Sequence, residues 1–200
     1  MYYSSLQVAC RNIRKYEGSR TVGKAKEPQK AKLFLAITWS KSADRDRLWK
    51  QLGKKWGTPD FSHGPVPFDF TDYYRREMGA GLEKQYVTFP GTVDRGLLPG
   101  IKCYTNTVES RFLRSLKRTV NLDPGLLTKD KLVLASTKDF FHRIYLAKSI
   151  YAEVTLHFRK GKYRYFSWTY PDYREPPFQA FLCKSRARLI QELKQTEREK

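Results

Sequence analysis

The second half of the chain, from about residue 119 to residue 168, is dominated by short segments with the two-residue apolar period of β-strands. The strictest alternation runs from Tyr151 to Phe158, where Ala, Val, Leu and Phe occupy every second position. Residues 159–162 read Arg-Lys-Gly-Lys and predict a hairpin turn, because glycine adopts positive φ angles without strain. Five consecutive strands are expected, at 119–122, 131–137, 143–146, 151–159 and 163–168. Consecutive strands joined by short turns favour an antiparallel sheet.

The first half of the chain alternates between strand and helix patterns. Residues 32–39 form a short apolar segment with β-branched residues near its end, which predicts a strand. Ser42 would cap a helix over residues 43–56, and Gly57 would end it. Residues 58–67 are rich in Gly and Pro and are expected to form a loop. The remaining predictions are strands at 68–70 and 86–89 and helices at 71–78, 106–116 and 178–194, the second helix starting at an Asn106–Glu109 capping box.

This order of elements predicts an α+β fold. The first half reads β-α-β-α-β-α-β, which is close to the ferredoxin-like alternation, and the second half adds antiparallel strands and a closing helix. A single mixed, largely antiparallel sheet with helices packed on one face would satisfy both halves. We expect residues 31–200 to form this one domain, since 200 residues suit a single domain. Residues 1–30, basic and without a sustained period, are expected to be a poorly ordered extension.

The charge balance restricts the classes of partner. The chain carries 39 Lys and Arg residues against 20 Asp and Glu residues, which gives a net charge of +19. Such a chain attracts polyanions, so we expect nucleotides or RNA as partners. The longest clean apolar segment, residues 33–37, is far shorter than the ~20 residues of a spanning helix, and no membrane partner is expected. The sequence itself specifies no oligomeric state.

Three cysteines stand at positions 10, 103 and 183, far apart and odd in number. They form no C-x-x-C pair, so the sequence predicts neither a zinc site nor a disulfide framework. Free thiols persist in reducing compartments, and the N-terminus lacks the apolar core of a secretory signal. We therefore expect a cytoplasmic protein.

Polar side chains follow or interrupt the predicted strands of the second half. Asn121 and Asp123 belong to an Asn-Leu-Asp-Pro-Gly sequence that predicts a turn just past a strand. Glu153 lies on the polar face of the 151–159 strand. The other candidates lie in loops beside predicted strands or, for Arg143, at the start of one: Lys138, His142, Arg143, Asp172 and Arg174. We expect these groups to line one cleft.

Two kinds of chemistry fit these residue types. Asp123, His142 and Glu153 are candidate catalytic residues, since carboxylates and an imidazole transfer protons near neutral pH. The candidate ligand-binding residues are Asn121, Lys138, Arg143, Asp172 and Arg174, because Lys and Arg side chains bind phosphate and carboxylate groups. Carboxylates at positions 72, 123, 153 and 172 would bind Mg²⁺ as a cofactor if they converged. The alternatives are local: turn formation for Asn121 and Asp123, a structural hydrogen bond for His142, and a solvated sheet face for Glu153.

Several common sites are excluded because their motifs are missing. The chain contains no G-x-x-x-x-G-K-[ST] loop, no G-x-G-x-x-G after a strand, no H-E-x-x-H and no G-x-S-x-G. The aromatic signature of RNA-recognition modules is missing as well. The standard P-loop and dinucleotide folds are therefore excluded.

Six segments of the chain resemble an uncharacterised bacterial family. In chain order they read FDFTDYYRREMG, IKCYTNTVE, NLDPGLL, KLVLASTKDFFHRIYL, IYAEVTL and WTYPDYR. That family is catalogued as a domain of unknown function, and some of its members carry the label of GTP-binding protein. The resemblance covers about residues 32–188 and implies a bacterial protein without an assigned reaction. Without a Walker loop, GTP would need an unrelated phosphate cradle.

Three functional hypotheses follow. The first is a binding protein for a phosphate-bearing ligand, either nucleotide or RNA, in which Lys138, Arg143 and Arg174 hold the phosphate. The second is a metal-assisted hydrolase or transferase that acts on a phosphate-bearing substrate. The third is a structural scaffold without a ligand, whose motif residues only hold the fold. The position of the candidate side chains, in one pocket or scattered, separates the first two hypotheses from the third.

Overall fold

The computed structural model describes residues 23–70 and 73–198. The expected extension therefore falls largely outside the described residues, and residues 23–30 are exposed and belong to no helix or strand. The helices in the described residues are α1 (Arg45–Trp56), α2 (Tyr73–Met78), α3 (Leu98–Ser110) and α4 (Pro176–Arg198). The strands are β1 (Lys32–Trp39), β2 (Phe61–Phe68), β3 (Leu82–Thr88), β4 (Leu113–Arg114), β5 (Lys117–Arg118), β6 (Val120–Leu127), β7 (Lys131–Ser136), β8 (Ile144–Ala147), β9 (Ile150–Arg159) and β10 (Lys162–Tyr165).

Eight of these strands form one sheet. Its order is β10-β9-β7-β6-β1-β3-β2, with β8 paired to β9, and the paired strands are antiparallel. The segment β2-β3-β1-β6 has the strand order of a ferredoxin-like fold, and β7, β9 and β10 extend the sheet beyond β6. The predicted α+β class, its largely antiparallel sheet and its ferredoxin-like first half are therefore confirmed.

Helices cover both faces of this sheet. Leu35 and Ile37 of β1 belong to a core cluster with residues of α1 and α3. Phe34 and Ala36 point to the opposite face and pack with Phe178 and other residues of α4. We expected the helices to pack on one face of the sheet. The structure places α1 and α3 on one face and α4 on the other. Within the described residues, none of the helices combines the length and apolar character that a membrane crossing requires.

Local sequence signals determine the two ends of α1 and the turn between β9 and β10. The Asp44 side chain accepts a hydrogen bond from the Arg47 N–H at 3.0 Å, and Gly57, at φ 80°, follows the last residue of α1. Because Asp44 rather than Ser42 caps this helix, it starts two residues later than predicted. The predicted β9–β10 hairpin is confirmed: Lys160 and Gly161 both have positive φ angles and connect the two paired strands.

Two other predictions for the first half were wrong. The Gly- and Pro-rich segment expected to be a loop forms β2, which lies at the edge of the sheet, where a proline without an N–H is tolerated. The helix expected at 106–116 is α3, which starts at Leu98 with Pro99 in its first turn and ends at Ser110. Asn106 and Glu109 lie inside this helix, so they form no capping box.

The Asn-Leu-Asp-Pro-Gly segment, predicted as a turn, lies within β6 instead. This strand pairs with β1 from Val120 to Leu127, but it pairs with β7 only from Gly125 to Leu127. Pro124, which has no N–H for a ladder hydrogen bond, stands where the pairing with β7 stops. At Gly125 the strands approach so closely that a Cβ atom would lie 2.6 Å from the carbonyl oxygen of Val133. Beyond that point β6 and β7 diverge and leave a gap in the sheet.

Candidate functional site

The gap between β6 and β7 opens into a cavity of about 360 Å³. Its walls come from both diverging strands, from β9 and α3, from single residues of β2, α2, β3 and β5, and from the segments that follow β7 and β10. Five lining side chains are cationic, namely Lys84, Lys102, Arg118, Lys138 and Arg143, and three are carboxylates, namely Glu109, Asp123 and Glu153. The other lining residues are Phe68, Tyr74, Asn106, Asn121, Leu134, Ala135, Ser136, Thr137, Tyr170 and Tyr173. The lining is therefore polar and carries an excess of positive charge.

The β6 wall of the cavity is built on Asn121 and Asp123, which share one face because their positions differ by two. The Asn121 amide donates to Asp123 Oδ2 at 2.7 Å. The buried Lys102 of α3 donates to Asp123 Oδ1 at 3.2 Å and to the Leu122 carbonyl oxygen at 2.8 Å. Burial alone would raise the pKa of Asp123, but the nearby ammonium groups of Lys102 and Lys84 outweigh it and hold the pKa below its usual range.

A second carboxylate, Glu109 of α3, lies deeper and is also held by hydrogen bonds. Its Oε1 atom accepts from the Leu122 N–H at 2.9 Å, and its Oε2 atom accepts from Arg118 Nη1 at 2.7 Å. Burial, with the negative charge of Asp123 in the same direction, raises the pKa of Glu109 in spite of the opposing effect of Lys102. One cavity therefore holds two carboxylates whose pKa values are displaced in opposite directions.

On the opposite wall, Glu153 of β9 is almost completely buried, and its carboxylate contacts both His142 and Arg143. Its Oε2 atom accepts from Arg143 Nε at 2.8 Å and lies 3.0 Å from His142 Nε2. Arg143 Nη1 donates in turn to Ser136 Oγ at 3.0 Å and to the Lys138 carbonyl oxygen at 3.1 Å. His142 stacks on the ring of Trp168, 5.0 Å between centroids, and does not line the cavity. It contacts the site through Glu153.

Lys84 of β3 forms the third charged part of the lining. Its ammonium donates to Asp172 Oδ2 at 2.6 Å, and the Tyr86 hydroxyl donates to the same oxygen at 2.6 Å. The ring centroids of Phe68 and Tyr173 lie 4.6 and 4.8 Å from the ammonium. Asp172 and these rings therefore hold the buried Lys84 in place at the cavity wall.

Three tyrosines complete the lining and stay protonated. Negative charge on Asp123, together with burial, raises the pKa of Tyr74. Burial is the largest cause that raises the pKa of Tyr170 and Tyr173. Their hydroxyl groups therefore keep their protons at neutral pH, and Tyr170, half exposed, stands at the rim of the cavity.

A family model described as "Domain of unknown function (DUF4416)" matches residues 29–189. The chain belongs to this family. No curated protein and no solved structure matches it. The resemblance noted in the sequence is thereby confirmed, and the match to this DUF4416 domain covers every residue of the cavity lining.

The structure brings together most of the site residues that the sequence predicted. Asn121, Asp123, Lys138, Arg143 and Glu153 all line the cavity of this DUF4416 domain. The remaining three do not line it: His142 contacts Glu153, Asp172 holds Lys84, and Arg174 lies elsewhere, where it donates from Nε to the Thr169 carbonyl oxygen at 2.9 Å and stacks over Tyr165.

Sequence reasoning missed four charged residues of the lining, Lys84, Lys102, Glu109 and Arg118. Lys102 and Glu109 were hidden by the wrong start of α3, since a helix beginning at Leu98 places both on its buried side. Lys84 had one available signal, because it occupies the same face of β3 as Leu82 and Tyr86, its neighbours at a spacing of two. Arg118 had no distinguishing signal beside its basic neighbours.

The carboxylates do not gather around a single point. Among residues 23–70 and 73–198, no three His, Cys, Asp or Glu side chains form a group that would hold a metal ion. Asp72, one of the four carboxylates considered for Mg²⁺, lies outside the described residues. Asp123 and Glu153 face the same cavity but are each occupied by cationic partners. This arrangement is better suited to hydrogen bonding with a ligand than to ligating a metal ion.

Proposed function

We propose that this protein binds a small phosphate-bearing ligand in the cavity between β6 and β7. The observation that carries the proposal is the set of five cationic side chains on the wall of one cavity of about 360 Å³. Lys and Arg are the side chains that bind phosphate oxygens, through charge-assisted hydrogen bonds. The net charge of +19 would also raise the local concentration of anions around the molecule.

Two of the cations, Lys84 and Arg143, are held in position yet keep unused donors. Within the described residues, Lys84 donates one hydrogen bond, to Asp172, although an ammonium has three donors. Arg143 uses Nε and Nη1, and its Nη2 atom donates no hydrogen bond in the described part of the chain. Neighbouring carboxylates therefore fix these side chains before a ligand arrives, which lowers the entropic cost of binding.

The size and composition of the cavity favour a small ligand over RNA. Ligand pockets usually measure about 300–1,000 Å³, and this cavity lies near the lower end. Its carboxylates would accept hydrogen bonds from sugar hydroxyls or base N–H groups, and its tyrosine rings offer surfaces for a planar base. A mononucleotide combines all three features, so we expect nucleotides to bind more tightly than inorganic phosphate. GTP and GMP belong among the first ligands tested.

The direct experiment is a calorimetric titration of the purified protein with inorganic phosphate, GMP, GTP and AMP at low and high salt. We expect saturable binding that weakens as salt rises, because ionic attraction is screened. Arg143→Ala should weaken nucleotide binding by about ten- to a hundredfold, since a hydrogen bond between charged groups contributes about 1.5–3 kcal/mol. Lys50→Ala is the matched control, because Lys50 is exposed on α1, away from the cavity lining.

The controls decide between the hypotheses. If neither phosphate nor any nucleotide binds at low salt, the proposal is wrong and the scaffold hypothesis is favoured. If Lys50→Ala weakens binding as much as Arg143→Ala, the binding is a non-specific effect of net charge. Folding of each variant is checked by its thermal unfolding curve.

A second candidate function, hydrolysis or group transfer on a bound phosphate ester, is favoured by the two carboxylates at the β6 wall. Asp123 has a lowered pKa and Glu109 a raised one, and opposite shifts within one site are typical of a base and an acid. Glu109 is fully engaged by Arg118 and the Leu122 N–H, which makes binding the stronger proposal. Turnover of nucleotides that is lost in Asp123→Asn while binding is kept would establish the enzyme.

We also propose a cytoplasmic setting. Nucleotides are available there, and the described cysteines, Cys103 and Cys183, are free thiols, as expected in a reducing compartment. Fractionation of cells that produce the full chain would test this proposal, and recovery outside the cytoplasm would contradict it.

A further inference from the structure

An exposed apolar surface borders the cavity on the segment that connects β7 to β9. It consists of Phe140, Phe141, Ile144, Tyr145 and Leu146, which are exposed by 58%, 81%, 71%, 58% and 40%. We call these five residues the 140–146 patch. Single exposed apolar residues are common on proteins, but five large ones within seven residues of the chain are typical of an interaction site.

The fold supports this patch from beneath rather than covering it. The β8 strand pairs with β9, and its residues 144–146 are exposed on both faces of the strand. In the preceding loop the Arg143 N–H donates to the Phe140 carbonyl oxygen at 2.9 Å, and the Phe141 ring meets the edge of Trp168 at 6.4 Å between centroids. The apolar side chains are thus presented by an ordered turn and strand.

The charges around the patch are mostly positive. Lys138 and Lys148 are exposed at its two ends, and Asp139 is the exposed acid between them. The chain as a whole carries a net charge of +19. A partner for this surface must therefore accept large apolar side chains and negative charge at the same place.

We infer that the 140–146 patch docks the protein onto a bilayer that contains anionic phospholipid. Such a bilayer accepts apolar and aromatic side chains at its interface and attracts nearby lysines. A second copy of the chain would cover the apolar residues, but it would bring Lys138 and Lys148 against equal charges. A single-stranded nucleic acid would stack on the rings and pair with the lysines, but it offers nothing to the aliphatic Ile144 and Leu146.

This inference stands apart from the nucleotide proposal and concerns peripheral association only. The sequence predicted no membrane partner because it contains no spanning segment, and docking through exposed loop residues needs none. Lys138 and Arg143 belong both to the cavity lining and to the segment that carries the patch, so a docked protein would hold its cavity near the lipid surface.

The test is co-sedimentation of the full chain with lipid vesicles. One vesicle is pure phosphatidylcholine, and the other contains about 30% phosphatidylserine, so that its surface is anionic. We expect sedimentation with the anionic vesicle, a marked loss when salt rises from ~0.05 to ~0.5 M, and little sedimentation with the neutral vesicle. The double variant Phe141→Ser/Ile144→Ser should lower the partition coefficient by about tenfold or more, because two apolar groups leave the interface.

Leu116→Ser is the matched control, since Leu116 is 94% exposed in the β4–β5 turn and lies outside the patch. It should partition like the unchanged protein. The inference is overturned if anionic vesicles do not bind the chain, if both variants bind equally, or if the double variant instead turns a dimer into a monomer or loses affinity for single-stranded RNA. Nucleotide binding by the double variant, measured in parallel, should be unchanged, which separates failure of the docking inference from failure of the cavity proposal.

Discussion

The β6 strand pairs with β1 on one side and with β7 on the other, and the two pairings differ in length. On one side it pairs with β1 along all eight residues, and the side chains of this pair form the apolar cores under α1, α3 and α4. On the other side it pairs with β7 over three residues and then diverges, and the gap opens into a cavity that is lined by charged and polar groups. The same strand thus contributes both to the apolar core and to a polar cavity.

The difference shows what each region is built for. Burial of apolar side chains at the β1–β6 pair stabilises the fold, because it removes apolar surface from water. A gap lined by buried charges adds little to stability, since the desolvation of ionic groups offsets much of their attraction. Charged groups that line a cavity and add little to the stability of the fold indicate a binding role. The following predictions test whether the β1–β6 pair stabilises the fold and whether the β6–β7 gap binds a ligand.

The largest effect is expected on the paired side. Phe34→Ala should lower the free energy of unfolding by about 3–5 kcal/mol, because Phe34 is fully buried in β1 between several aromatic rings and its removal leaves a void. Chemical denaturation would measure it. Leu116→Ala, at an exposed position, serves as control and should change stability by less than about 0.5 kcal/mol. A loss below about 1 kcal/mol for Phe34→Ala would contradict the placement of the apolar core at the β1–β6 pair.

The next effect is expected at the point of divergence. Gly125→Ala should cost about 2–3 kcal/mol, because its Cβ would lie 2.6 Å from the Val133 carbonyl oxygen and main-chain atoms cannot turn away as a side chain can. Gly100→Ala, where an added Cβ meets nothing within 4 Å, is the matched control. Equal stability of the two variants would show that β6 and β7 do not approach each other closely.

A smaller effect is expected on the cavity side. Asp123→Asn should lower stability at pH 7 by about 1–2 kcal/mol, because Lys102 loses the nearer of its two carboxylate partners and keeps only Glu109, at 3.9 Å. The folded pKa of Asp123 is lowered, so its contribution is present above the unfolded pKa of about 4 and is lost as the pH falls through the folded value. The difference between the two proteins should therefore shrink below about pH 4, as urea titrations at several pH values would show. A difference that grows on acidification would contradict the ion pair.

The smallest effect is expected for Arg174. The sequence placed this residue in the ligand site, but its guanidinium is bound to carbonyl oxygens outside the cavity. Arg174→Ala should change nucleotide affinity by less than about twofold, whereas Arg143→Ala should weaken it by about ten- to a hundredfold. Calorimetry on both variants makes the comparison. A large loss of nucleotide affinity in Arg174→Ala would show that the ligand binds outside the β6–β7 gap.

Periodic local patterns made most of the fold predictable. β1, the alternating β9 strand and the Lys160–Gly161 turn follow from side-chain period and glycine conformation, which act within a few residues. The Asp-Pro-Gly segment was misread because its residues favour turns, whereas the full ladder with β1 keeps it extended. Pro124 and Gly125 mark the point where the pairing of β6 with β7 stops. A local sequence pattern could not predict this role, because it contains no information on which strand lies beside β6.

The site was predictable in part for the same reason. Asn121, Asp123, Lys138, Arg143 and Glu153 were found because they sit beside predicted strands of the second half. Lys84 and Lys102 come from distant segments and reach the cavity through the ferredoxin-like topology and the position of α3. The gap itself could not be anticipated, because it arises from the pairing of β6 with β7 over only part of its length.

The most direct test of the account is an NMR titration of isotope-labelled protein with GMP. Binding in the cavity predicts saturable amide shifts at residues on both sides of the gap, such as Asn121, Lys138 and Glu153, with little change at Leu35 in the apolar core and at Lys50 on α1. Shifts spread over exposed basic residues of the whole surface, without saturation and without the cavity residues, would contradict it.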